Sequence, residues 1–380
     1  MKIVFVSNYF NHHQKPVSDR LYERLNEIGG SYTFMQTEPM EEERIRMGWG
    51  AVFQKTPYLA TYQDAPAEHQ KMIDEADIVI FGGTDDESYI QNRLASGKVI
   101  WRYSERLYKT GRYKFVSPRG LRQKYLDHTR YRRSRVYLLC SGAYVAGDFN
   151  LVRAYPNKKF RYGYFPECKE YDLDALMKQK KRKIPQLFWA ARMIDWKHPE
   201  LPIELAANLK REGYDFKLVI AGDGELSKEV RQYAKDLQVT DVVRFVGSQN
   251  PEEVRENMEK SSIYLTTSDN QEGWGAVINE AMNSGCAVVA NKAMGAAPYL
   301  IEDGENGFLY KNGSKKRFFG KVKQLLENPE LCEKMGRAAY ETIRTTWNAR
   351  VAADRLFDCM LREYIGEPYP WYDDGPLTQI

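Results

Sequence analysis

Short apolar runs bounded by turn residues recur along this chain, with helix-length segments between them. In the first half they fall at 2–7, 31–36, 77–81, 98–103, 135–140 and 160–165. In the second half they fall at 186–191, 217–221, 242–246, 262–266, 287–290 and 307–310. A strand covered on both faces needs no polar alternation, so such runs alternating with helices indicate parallel sheets with crossover connections. Two sets of six predict an α/β chain with two separate, doubly wound sheets. The run Met177-Lys178-Gln179-Lys180-Lys181-Arg182-Lys183 between them lacks apolar periodicity and is expected to be an exposed connection. That places a first domain over 1–170 and a second over 181–354. Near the end, Val351, Leu356, Phe357, Met360, Leu361 and Tyr364 have helical spacing. The segment 355–380 is expected to pack back and complete the first domain.

Composition narrows the class. A chain of 380 residues exceeds one ordinary core, and 43% hydrophobic residues suffice for two. Five scattered cysteines, odd in number and without a CxxC pair, predict a reduced protein with no disulfide framework and no zinc cluster. No stretch reaches the roughly 18 apolar residues of a spanning helix. The expected location is therefore the cytoplasm, or the inner face of a membrane. A net charge of +4 gives no sign of a nucleic-acid partner, and no nucleic-acid module is recognisable.

The chemistry concentrates in the second half. Ser268-Asp269-Asn270-Gln271-Glu272-Gly273-Trp274-Gly275-Ala276-Val277-Ile278-Asn279-Glu280 follows an apolar strand and runs into a helix. Two glycines leave backbone amides accessible where the helix is expected to begin, which favours an anion. With Glu272 just before that helix and Glu280 about a turn and a half inside it, the two would stand roughly 10 Å apart along the axis, close to the span between a sugar and a ribose joined by a diphosphate. Alone, the two would be ordinary exposed glutamates. Arg192 and Lys197 project from the loop after the run 186–191, where open parallel sheets bind ligands, and could neutralise a diphosphate. Gly222-Asp223-Gly224 and the run ending at Val246-Gly247 fit either a ligand-facing loop or a tight strand–helix turn.

In this order, Arg192 and Lys197, Gly222-Asp223-Gly224, Phe245-Val246-Gly247, Glu272 and Glu280, Gly295 and Asp303-Gly304-Glu305-Asn306-Gly307 resemble the family 4 glycosyltransferases. The resemblance covers about 187–356. It implies the GT-B architecture, two facing Rossmann-like domains with a cleft between them. It also implies a metal-independent retaining hexosyltransferase that needs no cofactor beyond a nucleotide-diphosphate sugar. By that similarity Arg192 and Lys197 bind the diphosphate, Glu272 the donor sugar and Glu280 the ribose. The amides of Gly275, Ala276 and Val277 meet the distal phosphate, while Gly222 and Val246 line the nucleotide. The implied acceptor is a glycan or lipid-linked saccharide of polysaccharide or envelope synthesis. A nucleotide-sugar epimerase of the same fold and a non-catalytic glycan- or membrane-binding subunit are the rivals.

The first half departs from that pattern. The loop after the first run, Ser7-Asn8-Tyr9-Phe10-Asn11-His12-His13, lacks the glycine pair of many family members and carries two histidines instead. The family's usual histidine after the fourth strand is absent, and Glu105 stands nearby. Glu105 is a candidate for acceptor chemistry or simply a partner for Arg102 or Arg106. The basic segment 102–135, interleaved with aromatics, could meet an anionic membrane or remain a solvated face.

Overall fold

The computed structural model describes residues 1–42, 45, 56–109, 111 and 117–380. The chain forms two compact units, Met1–Glu167 with Trp347–Ile380, and Cys168–Thr346.

Among the described residues the first unit holds seven parallel strands: β1 (Lys2–Ser7), β2 (Ser31–Gln36), β3 (Leu59–Thr61), β4 (Ile78–Gly82), β5 (Val99–Ser104), β6 (Val136–Ser141) and β7 (Lys159–Tyr162). Their order is β3-β2-β1-β4-β5-β6-β7. Val4 and Val6 of β1 join Val79, Phe81, Ile100 and Leu138 in one core, while Ile3 and Phe5 are buried on the opposite face. This two-sided burial explains the continuous apolar runs. The three half-buried residues of β3 carry no such run, so the sequence does not announce this edge strand.

The C-terminal helix, Ala349–Ile365, begins where Asn348 Oδ1 accepts from the Val351 amide at 2.9 Å, and ends at Gly366 with φ of 78°. It packs on the helix Lys15–Glu27. There Arg20 pairs with Asp354 at 2.8 Å, and the Arg24 guanidinium lies 4.7 Å from the Phe357 ring centroid. The last residues run antiparallel to β7. Leu377 N donates to Arg161 O, Arg161 N to Thr378 O and Ile380 N to Lys159 O, each at 2.8 Å. The return to the first unit therefore begins at Trp347 rather than at 355.

The second unit holds β8 (Gln186–Ala190), β9 (Lys217–Ala221), β10 (Val243–Gly247), β11 (Ile263–Thr266), β12 (Ala287–Asn291) and β13 (Gly307–Tyr310), all parallel. The order β10-β9-β8-β11-β12-β13 reverses direction at β8 and β11. Such a reversal of strand order, at the carboxyl ends of the two strands, is where sheets of this kind bind ligands. The charge run expected to be an exposed connection is in part a buried helix, Leu173–Lys180, with Leu176, Met177 and Lys180 inside. Its Asp172 cap and the Lys180 ammonium, which donates to Met258 O and Ser261 O at 2.6 Å each, explain the difference. Carbonyl partners let a lysine stem be buried where charge counting expects solvent.

Candidate functional site

The loops after β8 and β11 are tied to each other by a short relay. The buried indole of Trp189 donates from Nε1 to Thr267 Oγ1 at 2.8 Å, and that hydroxyl donates to Lys197 O at 2.6 Å. Asp269 N donates to Trp196 O at 3.0 Å, and Glu272 N to Asp269 O at 3.2 Å. These bonds fix the two backbones so that the Lys197 ammonium forms an ion pair with the Glu272 carboxylate, both largely buried. Arg192, on the same β8 loop, is exposed and forms no ion pair among the described residues.

A third loop, after β12, closes on the same point. Gly295 N donates to Glu272 O at 3.4 Å and Ala296 N to Trp274 O at 3.0 Å. Trp274 is fully buried, its Nε1 donating to Asn279 Oδ1 at 2.9 Å. Between them Gly275 adopts φ of 95°, and a Cβ there would meet the Met294 methyl at 2.6 Å and Glu272 Cγ at 3.3 Å. Here glycine is required both by conformation and by space.

The helix carrying Glu280 is Val277–Asn283, shorter and later than the sequence suggests. Glu272 therefore precedes it by five residues on a loop, and a spacing measured along one helix axis does not apply. The tight Gly275 turn delays the helix. The buried Tyr264 hydroxyl has its pKa raised well above the usual value by desolvation first, with the charges of Glu280 and, more weakly, Glu272 acting in the same direction. Tyr264 itself donates to Ala190 O at 3.1 Å. Burial also raises the Glu280 pKa, against the opposing pull of Arg255, and its carboxylate accepts no hydrogen bond among the described residues. The amides of Gly275, Ala276 and Val277 likewise donate none among the described residues, while Ile278 N and Glu280 N already reach Gly275 O and Ala276 O.

The Gly222-Asp223-Gly224 turn is held by its own side chain. Asp223 accepts from the Gly224 amide at 2.8 Å and from the Ser227 hydroxyl. Its carbonyl takes the Met193 amide at 2.8 Å, and Gly222 N donates to Gly247 O at 2.7 Å. A Cβ on Gly222 would fall 1.9 Å from Ala191 O, so the turn and the Arg192 loop are packed backbone to backbone. Val246 is half-buried at the end of β10, beside Phe245, whose ring lies under the Arg231 guanidinium at 4.6 Å.

In the first unit, His12 and His13 lie in the turn after β1, ring centroids 3.9 Å apart. His13 is parallel to Tyr164, at 6.4 Å and 8°. The Tyr164 hydroxyl donates to Glu105 Oε1 at 2.5 Å, and Glu105 also pairs with Lys109. Burial, with Glu105 close by, raises the Tyr164 pKa well above the usual value. The structure thus joins His13 to Glu105 through Tyr164, which no spacing in the sequence reveals. Neither expected arginine pairs with Glu105. Arg102 is buried in a two-pronged pair with Glu87, at 2.6 and 2.7 Å, and Arg106 meets the buried Asp148 at 3.2 Å.

The basic segment divides in two. Arg102, Arg106, Lys109 and Arg135 are bound to Glu87, Asp148, Glu105 and Glu363. Arg119, Arg122, Arg130, Arg132 and Arg133 are exposed and form no ion pair among the described residues, beside the exposed Leu121 and Tyr125. Arg112 and Lys114 lie outside the described residues. Among those described, no helix is long and apolar enough to cross a membrane, and no group of three His, Cys, Asp or Glu side chains could hold a metal ion.

Residues 175–342 match the family model described as glycosyl transferases group 1. The chain is similar to the putative glycosyltransferase EpsD of Bacillus subtilis, with 31% identity over 40% of this chain and 39% of that protein. It is also similar to the amylovoran biosynthesis glycosyltransferase AmsK of Erwinia amylovora, with 27% identity over 53% and 50%. The match thus spans half or less of these relatives. A crystal structure of Anabaena HepE in complex with UDP superposes with a TM-score of 0.69 over 96% of this chain and 100% of that one, at 16% identity. The fold is GT-B.

Proposed function

We propose that this chain, with a group 1 glycosyl transferase domain on a GT-B fold, moves a sugar from a nucleotide-diphosphate donor to a glycan or lipid-linked acceptor. The observation that carries the proposal is the Lys197–Glu272 pair, held by three loops at the switch point between β8 and β11. An entering diphosphate draws Lys197 and Arg192 to its oxygens, and Glu272 is then released to accept from sugar hydroxyls. Glu280, desolvated and without a protein donor among the described residues, has the acceptor capacity a ribose hydroxyl pair requires. Because UDP is the nucleotide in the HepE crystal, UDP-sugars are the first donors to test.

In this reading the bond from the anomeric carbon to the diphosphate oxygen breaks as the acceptor oxygen bonds on the same face. The acceptor proton passes to the departing phosphate, and configuration is retained. Lys197 and Arg192 stabilise the negative charge that develops. The step as written requires no metal. His12, His13 and Glu105, linked through Tyr164, form the acceptor-side group. The exposed arginines with Leu121 and Tyr125 support contact with an anionic membrane at the inner face, where each basic residue contributes about 1 kcal/mol.

Purified protein, supplied with a panel of nucleotide sugars and lipid or glycan acceptors, tests the assignment. Transfer in the wild type, lost in Glu272→Ala and Arg192→Ala with folding intact, is the expected result. Full activity in both variants refutes the site. Donor conversion that needs no acceptor assigns an epimerase instead.

A further inference from the structure

Directly after Lys197 the backbone takes an unusual conformation. His198 has φ of 50° and ψ of 57°, the left-handed region that a β-carbon disfavours by roughly 1–2 kcal/mol. Glycine would fit this position without strain, yet the chain places an imidazole here. It lies between two carboxylates from different elements. Nδ1 is 3.2 Å from Glu200 Oε1, at the start of the helix Glu200–Arg211, and Nε2 is 3.6 Å from Asp269 Oδ2, on the loop after β11. Asp269 is also the residue whose backbone binds Trp196 O and the Glu272 amide.

We propose that His198 is a positioning residue: its protonated ring clasps the Lys197 loop to the Glu272 loop, so that proton uptake at this ring sets the affinity for the donor diphosphate. This inference rests on the donor site proposed above and deepens it.

The charges facing the ring from every side are Glu200 and Asp269, with Asp195 on its own turn, Lys197 next in sequence, and Lys315, which shares a cavity of about 230 Å³ with His198 and Glu200. Acids outnumber the cations, and Lys315 is itself engaged by Glu204 at 2.7 Å. The hydrogen bond to Glu200 is the main cause that raises the His198 pKa, overcoming partial desolvation, with Asp269 and Asp195 adding to it. A group with a raised folded-state pKa keeps its partners bound below that value and releases them as pH rises through it. The clasp is thus closed in mildly acidic solution and loosens towards alkaline pH. The cavity on one side gives the ring access to solvent protons.

The test compares wild type with His198→Gly, which suits the backbone, and His198→Asn, which tolerates it but carries no charge. Dissociation constants for UDP and for inorganic pyrophosphate are measured by calorimetry between about pH 5.5 and 8.5. The expected wild-type advantage over His198→Gly is about five- to tenfold at the acid end and falls towards none at the alkaline end. His198→Asn should show no change of its ratio to His198→Gly with pH. A wild-type advantage that does not change with pH overturns the clasp and leaves the donor site standing. So does a His198 imidazole that titrates in NMR at the ordinary histidine value. Failure of wild type to bind either probe at any pH overturns the donor site, and the clasp with it.

Discussion

Gly275 and Gly304 offer a controlled measurement of how tightly the site is built. Their φ angles are 95° and 97°, so alanine suffers nearly the same backbone strain at both, about 1–2 kcal/mol. Their surroundings differ. A Cβ at Gly304 meets nothing within 4 Å, whereas at Gly275 it meets the Met294 methyl at 2.6 Å and Glu272 Cγ at 3.3 Å. Met294 is fully buried, and Thr266 Oγ1 donates to its sulfur at 3.0 Å, so its methyl has little room to move aside. Overpacking of this kind costs about 1–3 kcal/mol more. Gly304→Ala should therefore lose about 1–2 kcal/mol and Gly275→Ala about 2–5 kcal/mol. Urea titration followed by circular dichroism measures both, and in a unit of this size each kcal/mol also lowers Tm by about 2–4 °C. Calorimetry with a nucleotide sugar supplies the functional half: Gly275→Ala should lose donor affinity as Glu272 is pushed aside, and Gly304→Ala should keep it. Equal stability losses at the two sites, or equal donor affinity, would refute the close packing on which the site's geometry depends.

Other outcomes follow from single contacts. Glu280→Gln should raise Tm at neutral pH while weakening donor binding. Burial raises the carboxyl's folded pKa, so its ionised form destabilises the fold above that value, and the gain should shrink as pH falls towards the unfolded value; a lower Tm at neutral pH would contradict this. Glu87→Gln should cost about 3–5 kcal/mol in denaturant unfolding, because it leaves the buried Arg102 guanidinium without its counter-charge; a loss under 1 kcal/mol would mean that the pair is solvated. Removal of residues 375–380 should cost about 2–4 kcal/mol, from three backbone hydrogen bonds to β7, those of Pro376 with Arg355 and of Gln379 with Asn157, and the buried Leu377, and promote aggregation through the exposed edge of β7, seen by light scattering.

The strands, and the neighbours within each group of proposed donor-site residues, were legible in the sequence, and the physical reasons are local. Strands buried on both faces are continuously apolar, and twelve strands were legible as apolar runs, whereas the short, half-buried β3 was not. Glu272, Gly275 and Glu280 lie within nine residues of each other, and Arg192 and Lys197 within six, so chain connectivity alone keeps each group together. What joins the groups is non-local. Lys197 meets Glu272 because β8 and β11 are neighbours at a reversal of strand order. The buried Lys180 was read as solvated because its carbonyl partners, Met258 and Ser261, are some eighty residues away. The same holds for Tyr164, whose partners His13 and Glu105 are both distant in sequence, and for His198, which meets the nearby Glu200 and the distant Asp269. Spacing records which side chains share a turn. Which charges share a solvent-poor space is not written in spacing, because burial and pairing depend on the whole sheet.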